Sequence, residues 1–351
     1  MTRSLLAALV LLTACTQPSA APAATPSATP GRTPGAATTA PARVPPASAT
    51  TAAAAARVQE YAVARGSGPH DVAPAADGGV WYTGQRNGTL GHLDPATGKV
   101  REIPLGRGSS PHGVIVDRNG VAWVTDSGQN AMVSVDPRAG DKVTVYPLPA
   151  GTPNVNLNTS VIDKDGAQWF TGQNGWFGRL DPDGRTHAFQ APRGRGPYGI
   201  TTTPDGSVYY ASLAASYVGR IRKETGGAEV LEPPTRDQGA RRVWSDSTGS
   251  VWVSEYNAGQ VARYDPRTSA WKEWKLPGAQ PLAYSVYVDE RDVVWLTDFA
   301  AHAIVSFDPA TEAFTSYPYP ANGNVRQQHG RPGEVWGALS SLDRLIVVRT
   351  R

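Results

Sequence analysis

Apolar and polar residues alternate along residues 110–149 in short runs that are separated by turn residues. The run HGVIVD is followed by Arg118-Asn119-Gly120 and then by VAWVTD, which alternates again. Asparagine and glycine accept the positive φ that a tight hairpin requires. Two further runs, AMVSVD and KVTVYPLP, flank a turn that opens with Asp136-Pro137, where proline presets the backbone. The stretch therefore predicts four antiparallel strands in one small sheet, which is not stable alone.

This four-stranded unit recurs at intervals of 40 to 46 residues along the chain. Its copies align on one aromatic position, which is occupied by Trp81, Trp123, Trp169, Tyr209, Trp252, Trp295 and Trp336. Repetition of a β-only unit at this period is typical of propeller blades. Seven copies predict an all-β fold, a seven-bladed β-propeller of four-stranded antiparallel blades, with the bulky anchors wedged between neighbouring sheets.

The two ends of the repeat region predict how the ring closes. Residues 58–63 resemble the fourth strand of a blade, whereas the last blade, which ends in Leu345-Ile346-Val347-Val348, lacks a fourth strand. We therefore predict that the N-terminal strand completes blade seven, so that no sheet edge stays open. The propeller domain is assigned to residues 57–351.

The N-terminus carries a different pattern. Residues 1–15, MTRSLLAALVLLTAC, contain Arg3, an apolar run and small residues, and they predict a secretory signal that is too short to span a bilayer. The end of this segment resembles the lipobox of bacterial lipoproteins, and this resemblance implies cleavage before Cys15 and lipidation of that cysteine. The alternative is a plain secretory signal in which Cys15, the single cysteine, is incidental. Either way, the expected location is extracytoplasmic, and the lipid is the only membrane attachment expected.

Residues 16–56 are nearly all Ala, Pro, Thr and Ser and predict a disordered linker between anchor and propeller. The net charge is only +3, and basic and acidic residues are interleaved. No stripe of Lys and Arg indicates a nucleic-acid partner. We expect a monomer that binds a small molecule at the mouth of its central tunnel.

Polar side chains recur where each innermost strand begins and the following strand ends, at one mouth of the tunnel. His112 and Asp126 both lie seven residues from Asn119, and facing residues of an antiparallel pair are neighbours. We therefore expect the His112 imidazole to contact the Asp126 carboxylate. The same offset predicts six further pairs: His70 with Gly84, Asn158 with Gly172, Tyr198 with Ser212, Arg241 with Glu255, Tyr284 with Asp298, and Val325 with Leu339.

These residue types offer three kinds of chemistry. An imidazole takes a proton near physiological pH, and a neighbouring carboxylate raises its basicity, so His112 with Asp126 is the candidate acid–base pair. Oxygen ligands suit Mg²⁺ or Ca²⁺, which makes Asp126, Glu255 and Asp298 the candidate metal ligands. The candidate ligand-binding residues include arginines, whose guanidinium groups clamp carboxylate or phosphate: Asn158, Tyr198, Arg241, Tyr284 and Arg326. A mouth that is polar only because it faces water, and a simple Arg241–Glu255 ion pair, remain as alternatives.

Over residues 57–351 the chain resembles the virginiamycin B lyase (streptogramin B lyase) family of seven-bladed propellers. The resemblance rests on Ser110-Pro111-His112-Gly113, Trp123-Val124-Thr125-Asp126, Gly196-Pro197-Tyr198-Gly199-Ile200 and Val251-Trp252-Val253-Ser254-Glu255. It implies the opening of a cyclic depsipeptide by Mg²⁺-assisted elimination across an ester, with a Pro-His-Gly histidine as base and glutamates as metal ligands.

Matched position by position, the resemblance makes His112 the base, His70 a second catalytic histidine and Asp126 a metal ligand, with Mg²⁺ as cofactor. Ser110 stands where the family has a glutamate, and the blades that carry histidine come first in this chain rather than last. Three functions follow as hypotheses: a lyase opening an ester or lactone of a cyclic ligand, a non-catalytic propeller binding an anionic ligand at the cell envelope, and a metal-dependent lactonase.

Overall fold

A computed structural model describes residues 58–350, in which 28 strands and one 3₁₀ turn occur. The predicted signal peptide, Cys15 and the predicted linker lie outside these residues. The first strand, which precedes the blades, is β1 (Val58–Ala62). Within 58–350 no helix is long and apolar enough to cross a membrane.

The strands of the first four blades follow in chain order. Blade one contains β2 (Pro69–Pro74), β3 (Val80–Gly84), β4 (Thr89–Asp94) and β5 (Lys99–Pro104). Blade two contains β6 (Pro111–Val116), β7 (Ala122–Asp126), β8 (Ala131–Asp136) and β9 (Lys142–Pro147), with the 3₁₀ turn at Pro137–Ala139. Blade three contains β10 (Leu157–Ile162), β11 (Gln168–Gly172), β12 (Trp176–Leu180) and β13 (Thr186–Gln190). Blade four contains β14 (Pro197–Thr202), β15 (Val208–Ser212), β16 (Tyr217–Arg222) and β17 (Gly227–Leu231).

The remaining three blades complete the ring. Blade five contains β18 (Ala240–Ser245), β19 (Val251–Glu255), β20 (Gln260–Asp265) and β21 (Ala270–Lys275). Blade six contains β22 (Ala283–Val288), β23 (Val294–Asp298), β24 (Ala303–Asp308) and β25 (Ala313–Pro318). Blade seven contains β26 (Val325–Arg331), β27 (Glu334–Leu339) and β28 (Arg344–Arg349).

Consecutive strands within each blade pair antiparallel, and the first strand of each blade is the innermost. Each innermost strand contacts the innermost strand of the next blade, and β26 contacts β2, so these seven strands line a closed tunnel. The seven sheets of four strands confirm the propeller that the repeat predicted.

The N-terminal strand closes the ring as predicted. β1 pairs antiparallel with β28, from Val58 opposite Val348 to Ala62 opposite Arg344, and supplies the fourth strand of blade seven. Tyr61 on β1 packs on the buried Trp336, with ring centroids 5.4 Å apart. The pairing covers the edge of β28 that otherwise offers unpaired backbone groups to another chain.

A recurring set of hydrogen bonds fixes the hairpin turn and its tryptophan together in four of the blades. In blade three the Asp163 Oδ1 accepts the amides of Asp165 and Ala167 in the turn, and its Oδ2 accepts the Trp169 indole N–H at 2.9 Å. The same aspartate–indole bond recurs in blades two, five and six. One carboxylate thereby satisfies turn amides and a buried indole, which explains the spacing of six residues between aspartate and tryptophan.

The aromatic anchors form the cores between blades. Trp81 of blade one packs against Val114, Ala122 and Val124 of blade two, and Trp252 of blade five packs against Val286, Val294 and Leu296 of blade six. The other anchors pack on the next blade in the same way. Because replacing such a buried ring by alanine costs about 3–5 kcal/mol, these contacts are a major part of what holds neighbouring sheets together.

A β-bulge near the start of the innermost strand breaks the ladder in every blade. In blade two Pro111 lies opposite Asp126 and Val114 lies opposite Val124, so His112 and Gly113 together face the single residue Thr125. Such a bulge bends the strand and redirects its side chains. Proline is the first residue of the innermost strand in blades one, two and four, a position at which the strand needs no backbone N–H donor.

A hydroxyl group holds the bulge in place. Thr125 Oγ1 accepts the amide of Gly113 at 2.8 Å and donates to the carbonyl of Asn158 in the next blade at 2.5 Å. Thr83 does the same for the Asp71 amide and the His112 carbonyl. The Thr or Ser two residues after the tryptophan makes this contact with the next blade in blades one, two, three and five, whereas blades four and seven have Ala211 and Ala338 at that position. In those four blades the contact fixes residues at the tunnel mouth.

Candidate functional site

The bulges place two side chains per blade around the tunnel mouth. We call the first bulge position of each blade the outer ring: His70, His112, Asn158, Tyr198, Arg241, Tyr284 and Arg326. We call the second position the inner ring: Asp71, Gly113, Thr159, Gly199, Arg242, Ser285 and Gln327. Side chains from non-adjacent blades meet in these rings, which therefore converge on the tunnel axis.

Two inner-ring glycines allow neighbouring strands to approach closely. A Cβ at Gly113 would lie 2.7 Å from the Asn158 carbonyl oxygen, and a Cβ at Gly199 would lie 2.6 Å from the Arg242 Cα. Backbone atoms cannot move aside as a flexible side chain can. The glycine of the Pro-His-Gly and Pro-Tyr-Gly motifs is therefore required by packing between innermost strands.

The predicted contact between His112 and Asp126 is wrong, because the bulge shifts the register by one residue. Asp126 lies opposite Pro111, and its Oδ1 accepts the amides of Ser110, Gly128 and Gln129. Its Oδ2 accepts hydrogen bonds from Ser109 and the Gln129 side chain. Asp126 thus stabilises the loop beside the mouth, and His112 faces other partners. Blade seven has a hairpin one residue shorter, so the predicted Val325–Leu339 pair is present there and Arg326 occupies the outer ring.

The three carboxylates predicted to bind metal lie at one equivalent position in three separate blades and are not brought together. Asp298 Oδ1 accepts the amides of Leu282, Ala300 and Ala301, as Asp126 does in its own loop. Glu255 is fully buried, and its Oε2 accepts a hydrogen bond from Gln260. Burial raises the pKa of Glu255 to about 8. The alternative Arg241–Glu255 ion pair is not formed either, because Arg241 packs among tyrosines.

A histidine cluster from blades one and two lies at the centre of the mouth. The His70 and His112 rings are buried, with centroids 3.9 Å apart. His70 Nδ1 lies 2.7 Å from the Asp71 carboxylate, which also receives the Arg242 guanidinium at 3.3 Å. Burial, with the surrounding arginines, holds the pKa of His70 well below its ordinary value. Burial and the neighbouring His70 do the same to the pKa of His112, so both imidazoles are neutral.

A directional chain of hydrogen bonds sets the tautomer of His112. Arg242, which can only donate, contacts the Thr159 hydroxyl at 2.6 Å, and that hydroxyl donates to Asn158 Oδ1 at 2.7 Å. The Asn158 amide nitrogen consequently faces His112 Nε2, at 3.2 Å. Nε2 is thus the acceptor, and the neutral imidazole carries its proton on Nδ1. His112 Nδ1 is buried and has no hydrogen-bond partner among the described residues.

A second cluster joins blades four, five and six. Arg241 donates to the Tyr198 hydroxyl at 3.0 Å, and the hydroxyls of Tyr198 and Tyr284 lie 2.8 Å apart. The Arg241 guanidinium lies over the Tyr284 ring, 3.6 Å from its centroid, and also close to the rings of Tyr198 and Tyr256. Cation–π contacts of this kind hold a partly desolvated arginine in a fixed position.

The mouth is rich in cationic donors. The two rings contain three guanidinium groups, those of Arg241, Arg242 and Arg326, against the single carboxylate of Asp71. Among residues 58–350, the Nε of each of these arginines is buried without a hydrogen-bond partner. Unpaired buried donors are costly, and a ligand oxygen that reaches them recovers that cost. The electrostatics therefore favour an anionic or strongly polarised oxygen group at this position.

The mouth does not fit the Mg²⁺ that the resemblance implies. The described residues hold one cluster of potential metal ligands, His70, Asp71 and His112, whose ligand atoms lie within 4.8 Å of one another. Two imidazoles with one carboxylate suit a transition metal better than Mg²⁺, which prefers oxygen. In addition, the Arg242 guanidinium already neutralises Asp71. A protonated Glu255 and turn-bound Asp126 and Asp298 supply no free carboxylates.

Fold and site together define a seven-bladed β-propeller with a polar, arginine-rich tunnel mouth. A model of the virginiamycin B lyase family matches residues 56–341. The chain therefore belongs to the virginiamycin B lyase family, which confirms the resemblance seen in the sequence. Among curated proteins there is no match.

Solved structures of lyases share the fold. The chain is similar to a streptogramin B lyase, with 23% identity, a TM-score of 0.75, and coverage of 83% of this chain and 96% of that chain. It is also similar to a virginiamycin B lyase from Staphylococcus aureus, with 19% identity, a TM-score of 0.76, and coverage of 84% and 99%. A catalytically inactive variant of that enzyme, with quinupristin, matches at 20% identity, a TM-score of 0.76, and coverage of 84% and 99%.

Sequence reasoning missed the inner ring, in particular Asp71, Thr159 and the pairing of Arg242 with Asp71. A signal for two of them was present, since Asp71 and Arg242 are charged residues inside strands that otherwise read as buried. A charge at such a position is rarely tolerated unless it is paired. A search of the innermost strands for charged residues therefore identifies Asp71 and Arg242. It does not identify the bulge that brings the two side chains together across the tunnel.

Proposed function

We propose that the protein is a carbon–oxygen lyase that binds a small molecule at the tunnel mouth and opens its ester or lactone bond without a resident metal. The observation that carries the proposal is the set of three guanidinium groups with unpartnered Nε–H donors in two rings that contain a single carboxylate, which pairs with Arg242. Such donors stabilise the charge that develops on an ester or carboxylate oxygen, the task that a metal ion performs elsewhere. Family membership supports the reaction class.

A second candidate is non-catalytic capture of an anionic ligand. It is favoured by the orientation of His112, whose Nε2 accepts from Asn158 while its proton sits on Nδ1. In that state His112 is a hydrogen-bond donor and not a base. The metal-dependent lactonase is less well supported, because the guanidinium of Arg242 opposes a second cation at Asp71. Mg²⁺ likewise remains a prediction of the resemblance that this donor set does not favour.

Two measurements separate these candidates. The first compares benzoate with benzamide, which have nearly the same shape but differ in charge. We expect benzoate to raise the melting temperature of residues 57–351 and benzamide to have little effect, since only the carboxylate meets the guanidinium groups. Arg326→Gln is expected to remove this selectivity, whereas Arg222→Gln, on the exposed side of β16, is the matched control. Equal shifts for benzoate and benzamide contradict an anion-selective mouth.

The second measurement incubates the protein with quinupristin in EDTA and separates the products by mass. Elimination gives a linear isomer of unchanged mass, whereas hydrolysis adds one water. An isomeric product in EDTA supports a metal-independent lyase, and a product that requires Mg²⁺ contradicts it. Benzoate binding without any product favours the capture function.

We also propose, from the sequence alone, that the protein acts outside the cytoplasm, attached to the membrane through a lipid on Cys15. Residues 16–56 then serve as a linker that holds the propeller away from the bilayer. A monomer is sufficient for this arrangement, because both rings are built within one chain. The ligand is expected to be an extracellular or envelope molecule.

A further inference from the structure

The two phenols at the mouth are arranged asymmetrically. Tyr198 and Tyr284 share a hydrogen bond of 2.8 Å, and the Tyr198 hydroxyl also accepts an Arg241 N–H at 3.0 Å, whereas the Arg241 guanidinium lies over the face of the Tyr284 ring. Arginine cannot accept, so the Tyr198 oxygen accepts that bond in every protonation state. When Tyr284 donates as well, two donors point at the Tyr198 oxygen. This is the environment that stabilises a phenolate.

The charged and titratable groups around Tyr198 act in the same direction. Arg241 and Arg242 face its ring from β18, with their guanidinium carbons 4.5 and 5.2 Å from its centroid. Arg326 adds positive potential from β26, and the neutral His112 contacts the ring edge from β6. Burial raises the pKa of Tyr198, but Arg241, Arg242 and the Tyr284 hydrogen bond outweigh it, and the net pKa is lowered. Burial and then Tyr198 raise the pKa of Tyr284 to about 12.

We infer that Tyr198 is the proton acceptor of this mouth, with Arg241 and Tyr284 as the positioning residues that hold its oxygen as a phenolate. The inference rests on the proposed lyase function and names the base for it. His112, the base expected from the resemblance, presents an N–H at Nδ1 and has its other nitrogen occupied by Asn158. It is therefore suited to donate to a ligand oxygen.

The substrate class is the one that the proposed lyase function supplies. It is an ester or lactone with a hydrogen on the carbon next to a carbonyl and an acyloxy group on the following carbon. The Tyr198 phenolate takes that hydrogen as a proton, and the C–H electron pair becomes a C=C bond. The C–O bond breaks, and the carboxylate leaves with its electron pair, stabilised by the neighbouring guanidinium groups. The products are an unsaturated carbonyl compound and a carboxylate, no water is consumed, and Tyr198 returns its proton to solvent.

The test follows each tyrosine directly and needs no ligand. Residues 57–351 are labelled with ζ-¹³C tyrosine, and the Tyr198 resonance is assigned by its loss in Tyr198→Phe. We expect Tyr198 to ionise at lower pH than any other tyrosine of the protein. Arg241→Met is expected to move this ionisation up by about one pH unit or more, because the nearest cation is lost. Arg241→Lys, which keeps the charge, is expected to restore most of the shift.

The melting temperature of each variant is measured in parallel to check that the variant is folded. If a variant does not fold, the order in which the tyrosines of the wild-type protein ionise still tests the inference. A Tyr198 that ionises together with or after the other tyrosines overturns the inference. So does an early-ionising tyrosine that persists in Tyr198→Phe. Both outcomes are independent of the benzoate and quinupristin experiments, so failure of this assignment is distinguishable from failure of the proposed function.

Discussion

At the scale of single residues, equivalent positions in the repeat have different chemistry because their side chains differ by one methylene group. Asp126 and Asp298 reach the amides of the following loop and accept three of them each through Oδ1. Glu255 occupies the same position, yet its Oε1 is buried with no hydrogen-bond partner among the described residues. Burial, which the Gln260 hydrogen bond to Oε2 offsets only in part, raises the pKa of Glu255 to about 8.

This residue predicts a pH dependence of stability. An unfolded glutamate ionises at a pKa of about 4.5, whereas the folded protein keeps the proton up to about pH 8. The folded state binds more protons across that interval, so the free energy of unfolding falls as the pH rises from about 4.5 to about 8. Glu255→Gln, which resembles the protonated form, is expected to match the wild type near pH 4 and to melt several degrees higher at pH 8.5.

The matched control for this substitution is Asp298→Asn, in which a carboxylate with three amide donors becomes a weaker acceptor. We expect this control to lower the melting temperature at pH 8.5 rather than raise it. Circular dichroism melts of the three proteins across pH 4 to 9 check both expectations. If Glu255→Gln raises the melting temperature by the same amount at every pH, the prediction of a buried, protonated Glu255 is contradicted.

At the scale of elements, the bulge and its hydroxyl decide the composition of the site. Six of the seven outer-ring residues were found from the sequence because they follow the repeat, which shows in the spacing of turns and tryptophans, whereas Arg326 was proposed from its charge. Their partners were not found, since counting from the hairpin turn assumes a regular ladder. A bulge adds one residue to one strand and shifts the register beyond it by one, so the His112–Asp126 contact was predicted where Pro111 faces Asp126.

Thr83 tests the role of the hydroxyl in holding a bulge. It accepts the Asp71 amide at 3.0 Å and donates to the His112 carbonyl at 2.8 Å, and it is fully buried. Thr83→Val keeps the shape but leaves both backbone groups without a partner, which is expected to cost about 2–4 kcal/mol of stability. Thr83→Ser keeps the hydroxyl and loses one methyl group, at about 1 kcal/mol.

Urea unfolding of the two Thr83 variants and the wild type gives these values. We also expect Thr83→Val to weaken benzoate binding, because the hydroxyl positions Asp71 and His112 at the mouth. Equal stability of the valine and serine variants is inconsistent with the hydroxyl as the contact that ties the bulge to the next blade.

At the scale of the whole molecule, the repeat explains why the fold was predictable and the site was only partly so. The ring closes through two features. Each of the seven anchors packs on the next blade, and the N-terminal strand completes blade seven. These features can be predicted because they depend on short stretches of sequence or on the spacing of the repeat. The pairing of Asp71 with Arg242 joins residues 171 positions apart on blades one and five, and the repeat carries no information about such contacts across the tunnel.

The attachment of the whole molecule to a membrane is the last property that the sequence predicts, and it depends on one atom, the sulfur of Cys15. Cys15→Ser is expected to move the protein from the membrane fraction to the soluble fraction of its native host, since stable anchoring needs acyl chains and residues 58–350 offer no spanning helix. Ser19→Ala, in the predicted linker, is the matched control and is expected to stay with the membrane. Fractionation with a carbonate wash and immunoblotting measures both variants. Retention of Cys15→Ser after the wash contradicts the lipoprotein assignment, and release of the wild-type protein by the same wash favours the plain secretory signal.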